Sequence, residues 1–93
     1  MYYVFLITNA NNTVLYCGFT SDLVRRIYQY KNKLIDGFPK RYNLDKLVYF
    51  ESTTDIKSAV VRKKQIKGWT RAKKNFLINE KNPNWLDLYS DIV

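Results

Sequence analysis

Tyr16-Cys17-Gly18-Phe19-Thr20-Ser21-Asp22-Leu23-Val24-Arg25-Arg26 passes from strand to helix within a few residues. Its first residues close an aromatic and β-branched run, Thr13 to Gly18, of the kind that forms strands. Thr20 or Ser21 can cap a helix, and Asp22 is favourable in the first turn. Leu23, Ile27, Tyr30 and Leu34 then recur at i, i+4, i+7 and i+11, which predicts an amphipathic helix ending near Asp36-Gly37.

Upstream, Tyr2 to Thr8 is a second aromatic and β-branched run. Asn9-Ala10-Asn11-Asn12 separates the two with turn-forming residues, so the chain opens on a β-hairpin. Downstream lies a polar, proline-containing loop, Phe38 to Asp45, and Leu47-Val48-Tyr49-Phe50 reads as a third strand. Thr54 can cap a second helix from about Asp55 to Gly68, and Thr70 a third from about Arg71 to Asn79. Asn82-Pro83-Asn84 makes a turn, and Trp85, Leu86, Leu88, Tyr89 and Ile92 form a short segment expected to pack back on the body. The order β-β-α-β-α-α contains no repeat or linker. It predicts one α+β domain over residues 1–93, with a small three-stranded, mainly antiparallel sheet flanked by helices.

Charge narrows the function. Sixteen Lys and Arg oppose eight Asp and Glu, a net +8, and half of those cations lie between Lys57 and Lys74. No acid occurs from Ile56 to Asn79. Such a block is the footprint of a polyanion partner or else a solvated basic face. Lys57, Arg62, Lys64, Lys67, Arg71, Lys73 and Lys74 are the candidate phosphate-binding set, with Lys40 and Arg41 in the loop and Arg25 on the first helix. Phosphate contacts of this kind give affinity without much sequence reading. Membrane binding is disfavoured, because the block lacks a broad apolar face opposite its charges and no apolar run is long enough to span a bilayer. The N-terminus lacks the features of a signal peptide, and the single Cys17 cannot form an internal disulfide. A reduced, cytoplasmic protein is expected.

One cation in the block is out of place. The apolar stripe of the second helix runs Ile56, Ala59, Val60, Ile66, and position 63 completes it, yet the residue there is lysine. Either Lys63 snorkels off a structural face or it has replaced a residue with a chemical role.

The hairpin and first helix resemble the GIY-YIG nuclease superfamily. The resemblance rests on Tyr3-Val4-Phe5, Tyr16-Cys17-Gly18 and Arg26. It continues through Lys40-Arg41-Tyr42-Asn43, Leu47 to Glu51, Arg62 to Trp69 and Asn82-Pro83-Asn84-Trp85. It covers nearly the whole chain and is closest in kind to the small stand-alone bacterial branch, similar to the N-terminal catalytic domain of the excision-repair incision subunit. The resemblance implies an endonuclease that hydrolyses phosphodiesters with one divalent metal, Mg2+ or Mn2+. It also implies a nucleic-acid partner, DNA in the first instance. Tyr16 then stands at the water-activating base, Gly18 at the motif glycine, and Arg26 at the phosphate-contacting arginine. Tyr30, where many members have histidine, can donate to a phosphate or simply pack. Cys17 takes the variable middle place of its motif, faces the other way along the strand, and reads as a small core hydrophobe.

Two positions depart from the pattern. Phe5 stands where the first motif usually ends in tyrosine, so one positioning hydroxyl is missing. Lys63 falls on the family's metal-binding glutamate. An ammonium has three donors and no acceptor, whereas hard divalent cations take carboxylate oxygens. Glu51, Asp55 and Glu80 offer no obvious substitute. The expectation is a nuclease-type domain that binds nucleic acid with impaired cleavage, with the metal in doubt. The alternatives are a non-catalytic nucleic-acid-binding module and, behind it, an interaction domain for an acidic partner.

Overall fold

Val4 to Thr8 are buried without a break, although a strand turns alternate side chains to opposite faces. This run lies in β1 (Tyr2–Thr8), which pairs antiparallel with both β2 (Leu15–Thr20) and β3 (Lys46–Thr53). The sheet order is β2-β1-β3, so β1 is central and both its faces are covered. The computed structural model describes all residues, Met1–Val93.

The two faces carry separate cores. Val4, Leu6 and Cys17 pack with Ala59 and Ile66 of α3 (Ile56–Gly68) and Ile78 of α4 (Arg71–Lys81). Phe5 and Ile7 pack on the other side with Leu23, Ile27 and Tyr30 of α1 (Leu23–Lys31), together with Leu44 and Leu47. The short helices α2 (Phe38–Arg41) and α5 (Tyr89–Ile92) complete the chain. The fold is the α+β arrangement expected, a three-stranded antiparallel sheet flanked by helices. A bulge lies in β3, where Leu6 faces Tyr49 and Ile7 faces Leu47 while Val48 has no partner. Both Val48 and Tyr49 therefore join the α3 side of the core.

Several boundaries differ from the sequence reading. Asp22, not Thr20 or Ser21, caps α1, accepting from the Arg25 amide at 3.1 Å. Thr20 instead accepts from the Asp22 amide at 3.0 Å and so holds the cap in place. Helix α1 stops at Lys31 because Lys33 turns left-handed at φ 55°. Leu34, the last expected member of its stripe, is exposed. Asp55, not Thr54, caps α3, through the Lys57 and Ser58 amides and the Ser58 hydroxyl. These bonds hold the Asp55 carboxyl below its usual range. The expected loop from Phe38 contains α2, and α4 runs on to Lys81.

Asn82 ties the C-terminal segment to the bulge. Its buried amide donates to the Val48 carbonyl at 3.1 Å and the Leu86 carbonyl at 2.9 Å, and accepts from the Leu86 amide at 3.0 Å. Asn82→Ala leaves buried carbonyls without donors, so urea unfolding should show a loss of about 2–3 kcal/mol. An unchanged midpoint would show that this tie does not hold the segment.

Candidate nucleic-acid cleft

The edge strand β2 leaves a cleft between the two helical layers. Tyr16 and Gly18 belong to the α1 face with Ile7 and Phe5, their partners across the ladder. Phe19 packs against the α3 face. A cleft of about 360 Å³ wraps this strand, lined by Tyr16, Gly18, Phe19, Arg26 and Lys63 among others. Arg26 reaches it from α1 and Lys63 from α3.

Gly18 is required here by a neighbour. A Cβ on it would stand 2.6 Å from Cζ of Phe5, its cross-strand partner. Phe5 is fully buried and packs against Tyr30 at 6.0 Å, so the ring has nowhere to retreat. The para carbon Cζ is the ring atom nearest Gly18, which itself lines the cleft. The ring fills the space of a tyrosine and supplies no donor.

Tyr30 stands edge-on to Tyr16 at 6.3 Å and is buried. Its hydroxyl is pushed above the usual tyrosine range by burial, and next by the neighbouring Tyr16, against the opposing pull of Arg26. A hydroxyl held neutral in this way can donate a hydrogen bond. Arg26 is half-buried beside it.

Lys63 has the geometry of the first reading offered for it. Its ammonium lies over the Phe19 ring at 5.6 Å, so the aliphatic stem covers an apolar surface while the head reaches the cleft. Its backbone carbonyl faces the Cys17 thiol at 3.8 Å, which sets this turn of α3 against β2. The stripe is narrower than expected: Ala59 and Ile66 are buried, but Ile56 is exposed.

The cleft lining does not suit a divalent cation. It contains no carboxylate and presents two cationic side chains. Asp22 lies in the adjoining groove, with one oxygen committed to the cap of α1. Glu51 accepts from Arg62 Nε at 3.0 and 3.1 Å and from the Tyr49 hydroxyl at 2.7 Å. No cluster of three or more His, Cys, Asp or Glu is placed to hold a metal. A larger cleft of about 500 Å³ opens between Glu51–Asp55 and α3, but the Glu51–Arg62 pair in its wall cancels its own charge.

The basic set divides. Arg62 pairs with Glu51 and lies over Trp69 at 5.2 Å. Arg71 donates to the Thr13 carbonyl at 3.0 Å and the Asn12 carbonyl at 2.5 Å, clamping the β1–β2 turn, and lies over Trp85. Lys40 pairs with Asp36 at 3.0 Å on the surface. By contrast, Arg25, Arg41, Lys57, Lys64, Lys67 and Lys73 are exposed and Lys74 half-exposed, with no ion-pair partner. Lys73 rests on Trp69 at 4.3 Å, a contact that leaves its charge available. Spacing alone does not separate the two groups, because the acceptors of Arg62 and Arg71 lie far away in sequence.

These features agree with the comparisons to known proteins. Residues 1–75 match the model of the GIY-YIG catalytic domain, and the chain belongs to that family, which is of nuclease type. It is similar to the UPF0213 protein BH0048 from Bacillus halodurans, solved by NMR in solution. The TM-score is 0.59 at 22% identity, over 94% of this chain and 93% of that one. At this identity the likeness is one of fold. No curated protein sequence matches the chain significantly. No helix is long and apolar enough to cross a membrane.

Two outcomes follow from the geometry. Gly18→Ala should cost about 1–3 kcal/mol in urea unfolding, since the added methyl overpacks a boxed ring. Most of that loss should vanish in a Phe5→Leu background; an equal loss in both would place the cause elsewhere. The Cys17 thiol, raised by burial to about 11 from 9.0, should react with a thiol reagent at pH 8 only as the protein unfolds. Rapid labelling of the folded protein would contradict its burial.

Proposed function

We propose that this chain binds nucleic acid, DNA foremost, through the cleft formed by Arg26 and Lys63, and that its phosphodiester cleavage is impaired. One observation carries the reading: cations from helices on opposite faces of the sheet line one cleft that contains no carboxylate. A phosphodiester carries one negative charge, and two fixed cations can neutralise it without a metal. Lys63 then acts as a counterion where relatives carry a metal-binding glutamate. Binding needs only this static charge. Hydrolysis also needs an activated water and a charge that follows the transition state, and the metal is the usual source of both.

The retained residues keep distinct roles. Arg26 contacts the phosphate, Tyr30 donates to it or supports Arg26, and Tyr16 points a phenol at the position of an attacking water. Gly18 lets the strand approach closely. Arg25, Arg41, Lys57, Lys64, Lys67, Lys73 and Lys74 extend the electrostatic surface beyond the cleft. Arg62 and Arg71 hold the fold and contribute little to binding.

Binding should weaken steeply with salt, since each phosphate contact contributes a slope of about −0.9 in log K against log salt on duplex DNA. Lys63→Ala should flatten that slope by about one contact, whereas Arg71→Ala should lower the melting temperature and leave the slope unchanged. In a cleavage assay with Mg2+ or Mn2+, the unaltered protein should cut branched, single-stranded and duplex DNA weakly or not at all. Lys63→Glu should gain metal-dependent cutting that Tyr16→Phe removes. Strong metal-dependent cutting by the unaltered protein, abolished by Tyr16→Phe, would overturn the impairment. Failure to bind any nucleic acid would leave the acidic-partner reading in its place.

A further inference from the structure

The aromatic wall of the cleft does not end at Tyr16. Phe38 lies nearly parallel to it, with centroids 6.2 Å apart and planes at 25°, and Tyr42 follows at 4.5 Å from Phe38. Phe38 and Tyr42 are 43% and 44% exposed and belong to neither core. Their placement follows from α2 and its flanks. Gly37 enters the helix at φ 124°, a backbone state that glycine adopts readily. Pro39 and Leu44 are buried and joined by a 2.8 Å backbone bond, which pins this segment to the body. Four residues apart, Phe38 and Tyr42 are left together on the outer side.

Exposed, adjacent aromatic rings need an account, because nothing in the fold uses their outer faces. Their surroundings supply one. Arg41 lies between them in sequence and has no ion-pair partner, and the neighbouring Lys40 is held only by an exposed pair with Asp36. The run begins at Tyr16, in the wall shared with Arg26 and Lys63. Flat rings beside cations, continuous with a cationic cleft, match the two parts of a nucleotide. Stacking platforms joined to a basic groove are how proteins hold single strands.

We infer that Phe38 and Tyr42 stack an unpaired base next to the phosphate held in the cleft, so that the chain selects nucleic acid carrying a single-stranded stretch. The inference rests on the nucleic-acid reading and specifies its substrate class. Bases inside a continuous duplex are already stacked on both faces and offer the rings nothing. A base in a flap, gap or free strand has an open face, and Arg41 lies near enough along α2 to follow its backbone. Selection made this way is indifferent to base identity, since every base presents a π-face.

The test uses the unaltered full chain, Tyr42→Ala and Phe38→Leu at one fixed salt concentration. The probes are a single-stranded DNA, a flapped duplex and a blunt duplex, with 2-aminopurine at the first unpaired position of the flap. The unaltered protein should bind the first two more tightly and quench the 2-aminopurine. Tyr42→Ala, at an exposed position, should lose about tenfold in affinity for the unpaired probes with the quench, and change little on the blunt duplex. Phe38→Leu should do the same while keeping its melting temperature within a few degrees; if it unfolds, Tyr42→Ala alone decides. An equal loss on all three probes, or none, overturns the platform while leaving the cleft intact. Absence of binding to every probe by the unaltered protein overturns the nucleic-acid reading and this inference with it.

Discussion

Phe5 lying across Gly18 is the contact on which the cleft depends. Burial of β1 on both faces forces its side chains into two cores, one under α1 and one under α3. Phe5 belongs to the first, and its ring reaches over the neighbouring strand at the one residue without a side chain. That close approach lets Tyr16 and Gly18 line a cleft instead of being covered by core. The contact uses the Phe5 ring alone, so it needs no hydroxyl at this position.

Because β2 is an edge strand, its outer side is free, and the helices of both layers bring one cation each around it. At Lys63 the structural and chemical roles coincide. The stem lies on Phe19 as a snorkelling lysine does, and the ammonium reaches the cleft beside Arg26. The fold therefore holds a cation at this place without leaving its aliphatic stem exposed. Carboxylates elsewhere are committed to structural work, Glu51 to Arg62 and Tyr49, and Asp55 and Asp22 to the caps of α3 and α1. This arrangement supports the proposed reading: two cations line the cleft and no carboxylate does.

The sequence was most legible where short-range physics decides the outcome. The hairpin, the third strand, α3 and the burial of Cys17 followed from periodicity and turn chemistry. The end of α1 did not, because Leu34 continues the stripe while the left-handed turn at Lys33 stops the helix. Helix α2 was hidden in a segment too short to show a period. Among the cations, Arg62 and Arg71 looked no different from Lys64 or Lys67. What separates them is an acceptor on β3 in one case and on the hairpin turn in the other. The aromatic run past Tyr16 was illegible for the same reason, since Phe38 and Tyr42 meet that ring only through the packing of Pro39 and Leu44.

On the proposed reading, Lys63 takes the place of a metal ligand and its charge keeps a divalent cation out of the cleft. A Mn2+ titration of isotopically labelled protein, followed by NMR, tests it without relying on activity. The unaltered protein should show no paramagnetic broadening centred on Tyr16, Gly18 and Arg26, whereas Lys63→Glu should show broadening confined to those residues and the adjoining turn of α3. Broadening of the same signals in the unaltered protein, at Mn2+ concentrations no higher than the variant requires, would contradict the account.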